Sequence, residues 1–179
     1  MVYVALLRGI NVNGQKKIKM ELLKSIFEEL KLEKVKTYIQ TGNVCFTTSA
    51  DRKESLCKKI ENKLNAALGF QVPVILRTLE ELEAVAADNP FKNTELLENE
   101  KLHVTFLSET PSSEAAEFLT SFKDETDEAM LQGDNVIILC RKGYGSTKFS
   151  NTFLEKKLKV EGTTRNFTTL NKIIAMGRE

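Results

Sequence analysis

Apolar positions along the chain switch between runs of strand length and a helical period, and the whole sequence of switches occurs twice. Tyr3 to Leu7 is a continuous apolar run, the mark of a buried strand. A long polar loop follows. From Met20 the apolar residues Leu22, Leu23, Ile26, Phe27 and Leu30 return at helical spacing, with Glu21, Lys24, Glu28 and Glu29 opposite. Val35 to Gln40 and Val44 to Thr47 read as paired strands across Thr41-Gly42-Asn43. A second helix, capped by Asp51 or Ser49, carries Leu56, Ile60, Leu64, Ala67 and Leu68 inward and stops at Gly69. Val72 to Leu76 is a strand whose Pro73 places it at an edge or at its own start. Leu79, Leu82, Val85 and Ala86 form a short helix ending before Asn89-Pro90.

The second half repeats that order. Leu102 to Leu107 is a strand and Ser112 to Phe122 a helix. Glu128 to Leu131 and Val136 to Cys140 form a hairpin, Asn151 to Leu158 a helix, and Thr163 to Asn166 an extended piece. A last helix turns Phe167, Leu170, Ile173 and Ile174 inward. Each half reads β-α-β-β-α-β plus an extra helix, the split βαβ order. The expected fold class is therefore α+β, a tandem duplication of ferredoxin-like units. Residues 1–92 would form the first, 102–179 the second, and 93–101 an acidic connector.

Charge sharpens this division. Residues 1–92 carry 15 Lys and Arg against 11 Asp and Glu, residues 93–135 carry 2 against 11, and residues 136–179 carry 9 against 3. Basic ends flank an acidic middle, which suits an anionic partner or a basic protein partner. No apolar run approaches the length of a membrane span and no signal-peptide pattern opens the chain. Cys45, Cys57 and Cys140 are odd in number and widely spaced, as expected of reduced thiols in a cytoplasmic protein. With His103 the only histidine, no His-based metal cluster is available.

Three polar clusters are candidates for chemistry. The first is the loop after the opening strand, with Arg8, Gly9, Asn11, Gly14, Lys16 and Lys17. Its amides and cations before a helix N-terminus suit an anion, although the spacing is neither a Walker loop nor a dinucleotide fingerprint. The second is Thr37 to Asn43, where strict alternation would put Tyr38 and Gln40 on one face, fit to stack on and bond to a base. The third gathers Tyr144, Gly145, Ser146, Lys148 and Asn151 with Thr164, Arg165 and Asn166, again before helices; Ser150 or Asn151 would cap the first of these. Arg165 is suited to clamp a phosphate or carboxylate.

The stretches LLRGINVNG, TYIQTGNVCF, NPF, YGSTKFSN and TTRNFTTLNKI resemble the signature of a widespread bacterial family of unknown function. That family's members show LLRGINVGG, TYIQSGNVVF, YGxSKLSN and TTRNWxT. The resemblance runs from Leu6 to about Ile174; Asn13, Thr41 and Phe167 depart from it. It implies one module over the chain and carries no activity with it.

No catalytic group stands out. His103 lies mid-strand, Cys45 and Cys140 sit in strands, and no carboxylate pair is distinguished from surface charge. The expected function is the binding of a small phosphorylated or nucleotide-like anion, held between the Arg8–Lys17 loop and the 144–151 and 164–166 segments. The alternatives are an RNA or single-stranded nucleic-acid module, with Tyr3 as the stacking aromatic of the first strand, and a protein-interaction domain without catalysis.

Overall fold

The computed structural model describes residues 1–49 and 52–179. The first half contains β1 (Val2–Leu7), α1 (Met20–Glu29), β2 (Glu33–Tyr38), β3 (Asn43–Thr47), α2 (Lys53–Leu68), β4 (Val74–Thr78) and α3 (Leu79–Ala87). The second contains β5 (Lys101–Leu107), α4 (Ser113–Ser121), β6 (Glu128–Gln132), β7 (Asn135–Cys140), α5 (Asn151–Leu158), β8 (Gly162–Asn166) and α6 (Phe167–Arg178). The two sheets run β2-β3-β1-β4 and β6-β7-β5-β8, antiparallel throughout. This is the ferredoxin-like order, made twice.

The chain divides into two compact units, Met1–Glu83 with Lys172–Glu179, and Ala84–Asn171. The break falls inside α3, and the acidic 93–101 stretch lies within the second unit. In the first unit, Leu23, Ile26 and Phe27 of α1 and Leu56, Ile60 and Leu64 of α2 close over Tyr3, Ala5, Leu7, Val44 and Phe46. The stripe repeats at the spacing that puts one helix face inward, so burial follows directly from the sequence period. Gly69 ends α2 with φ 78°, a left-handed turn that glycine adopts without a Cβ clash. In the second unit, Ala115 and Leu119 of α4 and Leu154 and Leu158 of α5 cover Leu107, Val136, Ile138 and Cys140.

Local chemistry shifts several expected boundaries. Ile39 has φ 49°, so β2 ends at Tyr38 and the alternation that would align Tyr38 with Gln40 is broken. β4 starts at Val74 because Pro73 has no N–H to donate; its carbonyl instead accepts the N–H of Arg8. The strand does lie at a sheet edge. At α2 the cap position is Arg52, without a side-chain bond, so Ser49 does not cap it; Asp51 lies outside the described residues. No helix among the described residues is long and apolar enough to cross a membrane.

Candidate functional site

In the first unit, the first two polar clusters are interlocked. The N–H of Leu7 donates to the carbonyl of Gly42 at 2.8 Å. Gly42 has φ 81°, and a Cβ there would stand 2.6 Å from Ile10 Cδ1 and 2.8 Å from Leu7 Cβ. Only glycine fits. Asn11 closes the clasp: its Oδ1 accepts the N–H of Ile18 at 2.8 Å, and its Nδ2 donates to the carbonyls of Ile18 and Gln40 at 3.2 and 2.8 Å. Ile10 and Ile18 anchor the loop in the core. On the hairpin side, Asn43 is buried and donates from Nδ2 to the carbonyl of Tyr38 and to Thr41 Oγ1.

The clasp leaves an open cleft of about 580 Å³ at the N-terminus of α1, walled by Asn11, Gly14, Lys17, Ile18, Lys19, Met20, Glu21 and Gln40. Lys19 holds the cap position and makes no side-chain cap bond. The cap residue accepts none of the first-turn N–H groups, which stand at the positive end of the helix dipole, and Glu21 of that turn places one carboxylate among the cleft walls. Of the sequence candidates, Asn11, Gly14, Lys17 and Gln40 wall this cleft, whereas Arg8, Gly9, Lys16 and Tyr38 are not among its described walls. Lys16 is committed elsewhere: Nζ donates to the Gln71 carbonyl at 2.8 Å and sits over the Phe70 ring. Lys19, the residue just before the helical period begins, is a cleft wall that the sequence pattern does not single out.

The third cluster lies in the second unit and forms an internal network. Tyr144 Oη accepts the N–H of Asn151 at 2.8 Å and donates to Thr164 Oγ1 at 3.3 Å. Thr164 donates to Asn151 Oδ1, Asn151 Nδ2 donates to the Gly162 carbonyl, and the Thr105 and Thr164 hydroxyls bond at 2.8 Å. These groups fasten the 144–151 segment to β5 and β8, so their hydrogen-bonding capacity is largely consumed by the fold. Ser150 caps α5 by accepting the N–H of Phe153. Ser146 is exposed in a 3-10 turn. Lys148 pairs with Asp124 at 3.2 Å; the backbone N–H groups of Asp127 and Thr126, with Lys148, hold that carboxyl below its ordinary range.

Arg165 is buried, with 6% of its surface exposed, and Nη1 donates to Thr163 Oγ1 and the Thr164 carbonyl. Burial pushes its guanidinium down to about 10. Such a group is a core element rather than an open clamp. Asn166 caps α6 by accepting the N–H of Thr168 at 2.7 Å.

The remaining reactive groups are quiet. Burial raises the Cys45 thiol, and burial with nearby carboxylates raises Cys57 and Cys140 to about 11. Such thiols stay protonated and poorly nucleophilic. His103 stacks on Tyr144 with centroids 4.8 Å apart; desolvation lowers its basicity and Nδ1 has no partner. Tyr3 is 2% exposed and stacks on Phe46 inside the core, so it offers no face to a base. Among the described residues, no group of three or more His, Cys, Asp or Glu is placed to hold a metal ion.

An α+β protein of two ferredoxin-like units, with a polar cleft over a helix N-terminus, is the class that fold and geometry define. The chain belongs to the family described as "Protein of unknown function (DUF1697)", whose model matches residues 1–136. Among solved structures it is similar to the conserved bacterial protein SP0830 from Streptococcus pneumoniae, at 26% identity and TM-score 0.75. That match covers 98% of this chain and 97% of the other. A search of curated proteins finds no match.

Proposed function

We propose that the protein binds a small phosphorylated or nucleotide-like anion in the α1 cleft and works in the cytoplasm. We also take the five sequence stretches named above as the signature of its family. One observation carries the binding reading. The α1 N-terminus lacks a side-chain cap and opens onto a cleft walled by Lys17 and Lys19, with Asn11 and Gln40 beside them. Helix N–H groups and two lysines border a space large enough for a phosphorylated small molecule, with Glu21 the one carboxylate among its described walls. The clasp supports this use of the loop. It fixes the backbone beneath the cleft before any ligand arrives, so binding spends little on ordering.

A thermal-shift screen against nucleotides, sugar phosphates and inorganic anions tests the reading. A ligand at 100 times its dissociation constant raises stability by about 2.7 kcal/mol. The expected result is a shift with one phosphorylated class that shrinks in the Lys17→Ala/Lys19→Ala variant. A ligand-induced shift of equal size in that variant would place binding elsewhere.

A further inference from the structure

Two segments that the α1 cleft does not use, Asn89-Pro90-Phe91 and the start of α6, meet in the second unit. There Asn89, Asn166, Phe167 and Thr168 wall a separate cavity of about 660 Å³. We propose that this cavity is a second binding site, one that takes a phosphate monoester with an apolar or aromatic body.

The first observation is Asn89. Its residue surface is only 6% exposed, and its Oδ1 accepts the N–H of Phe91 at 2.9 Å. An amide NH₂ cannot accept that bond, so the flip is fixed and Nδ2 takes the other side. Nδ2 has no partner among the described residues, while the side chain walls the cavity. That amide is therefore a donor open to whatever fills the cavity, and a ligand oxygen would take its hydrogen bond.

The second observation is the junction that leads into α6. Strand register makes β4-to-α3 and β8-to-α6 equivalent, since Arg77 lies opposite Val4 and Arg165 opposite Val104. At the first junction the protein supplies its own anion. Glu81 Oε2 accepts the N–H of Thr78 at 2.7 Å and Thr78 Oγ1 accepts the N–H of Glu81, a capping box. At the second, the neutral amide oxygen of Asn166 caps α6 through the N–H of Thr168 and the first turn holds no acidic residue, so no negative charge answers the helix dipole beside the cavity.

The walls add charge that suits an anion there. Lys92 and Lys101 supply two cations; Glu100 is tied to Arg141 at 2.9 Å, and Glu98 is exposed. A phosphate dianion matches the two lysines, the α6 N-terminus and the Asn89 donor. The cavity is far larger than a bare phosphate, and Leu96, Leu102 and Phe167 offer apolar surface to the rest of the ligand.

The test is a titration of the ¹⁵N-labelled full chain with AMP, and in a second arm with inorganic phosphate. The readout is the Asn89 side-chain NH₂ and the backbone amides of residues 167–169. The expected result is a saturable shift with AMP at these signals, and a weaker response to inorganic phosphate. Asn89→Asp keeps an oxygen for the Phe91 N–H but replaces the free donor with negative charge. It should weaken AMP at this site by about tenfold or more. Lys92→Ala/Lys101→Ala, a change at exposed lysines, should weaken it as well and stands in if Asn89→Asp does not fold. Lys17→Ala/Lys19→Ala should leave these signals unchanged, which separates this site from the α1 cleft. An Asn89 NH₂ that moves with neither probe, or AMP affinity at this site unaltered by the Lys92→Ala/Lys101→Ala change, would overturn the proposal.

Discussion

The two units share one element order but place their long polar loop at different points of it. In the first, the loop sits between β1 and α1, and the connection from β3 to α2 is short. In the second, β5 passes to α4 through a few residues, and the long segment lies between β7 and α5. The means of fastening differ too. The first loop is held by backbone-level fit: a glycine under Ile10 and one asparagine amide bonded to main-chain groups. The second is held by side chains, through the Tyr144, Asn151 and Thr164 network. The difference decides what is left over. Backbone fastening leaves Lys17, Lys19 and the α1 N-terminus facing the cleft, whereas the side-chain network spends its own donors and acceptors on the fold.

Substitutions test that contrast in descending order of effect. Gly42→Ala forces a Cβ to within 2.6 Å of Ile10 Cδ1 at a positive φ. It should cost about 3 kcal/mol, read as a fall in the urea midpoint. Asn11→Ala strands the N–H of Ile18 and two carbonyls, so a loss of about 2 kcal/mol is expected, together with a loosened α1 cleft. Tyr144→Phe removes one hydroxyl from a network that retains its other bonds. The same urea titration should show a loss of about 1 kcal/mol. An effect larger than that of Asn11→Ala would reverse the comparison.

The smallest effect is one of pH. Burial holds His103 below its ordinary value of 6.5, so the unfolded chain takes up that proton first as pH falls. Its contribution to stability is complete above pH 6.5 and is lost progressively below it, down to the folded value. His103→Gln should flatten the stability profile in the window just under pH 6.5. An unchanged slope there would remove His103 as its source.

Much of the architecture is visible in the sequence because it depends on local chemistry. The α1 and α2 stripes, the Gly69 stop and the Ser150 cap each follow from a few neighbouring residues. What is hidden depends on partners distant in sequence or on one unusual dihedral. Ile39 offers no sequence sign of its left-handed φ, yet that angle separates Tyr38 from Gln40. Asn11 looks like a ligand donor until its amide meets Gln40 across the sheet connection. Arg165 reads as a clamp because charge is visible in a sequence and burial is not. Asn89 passes for a helix stop, since nothing local reveals the cavity beside it.

The central claim is that the clasp leaves the α1 N-terminus for an anion, while the Tyr144 network serves the fold. The most direct measurement is an AMP titration followed at the backbone amides of residues 20–22, in the native chain, Lys17→Ala/Lys19→Ala and Tyr144→Phe. The account predicts saturable shifts in the native chain and in Tyr144→Phe at similar affinity, and markedly weaker binding without the two lysines. Amides 20–22 that stay still, or binding lost in Tyr144→Phe but kept without Lys17 and Lys19, would contradict it.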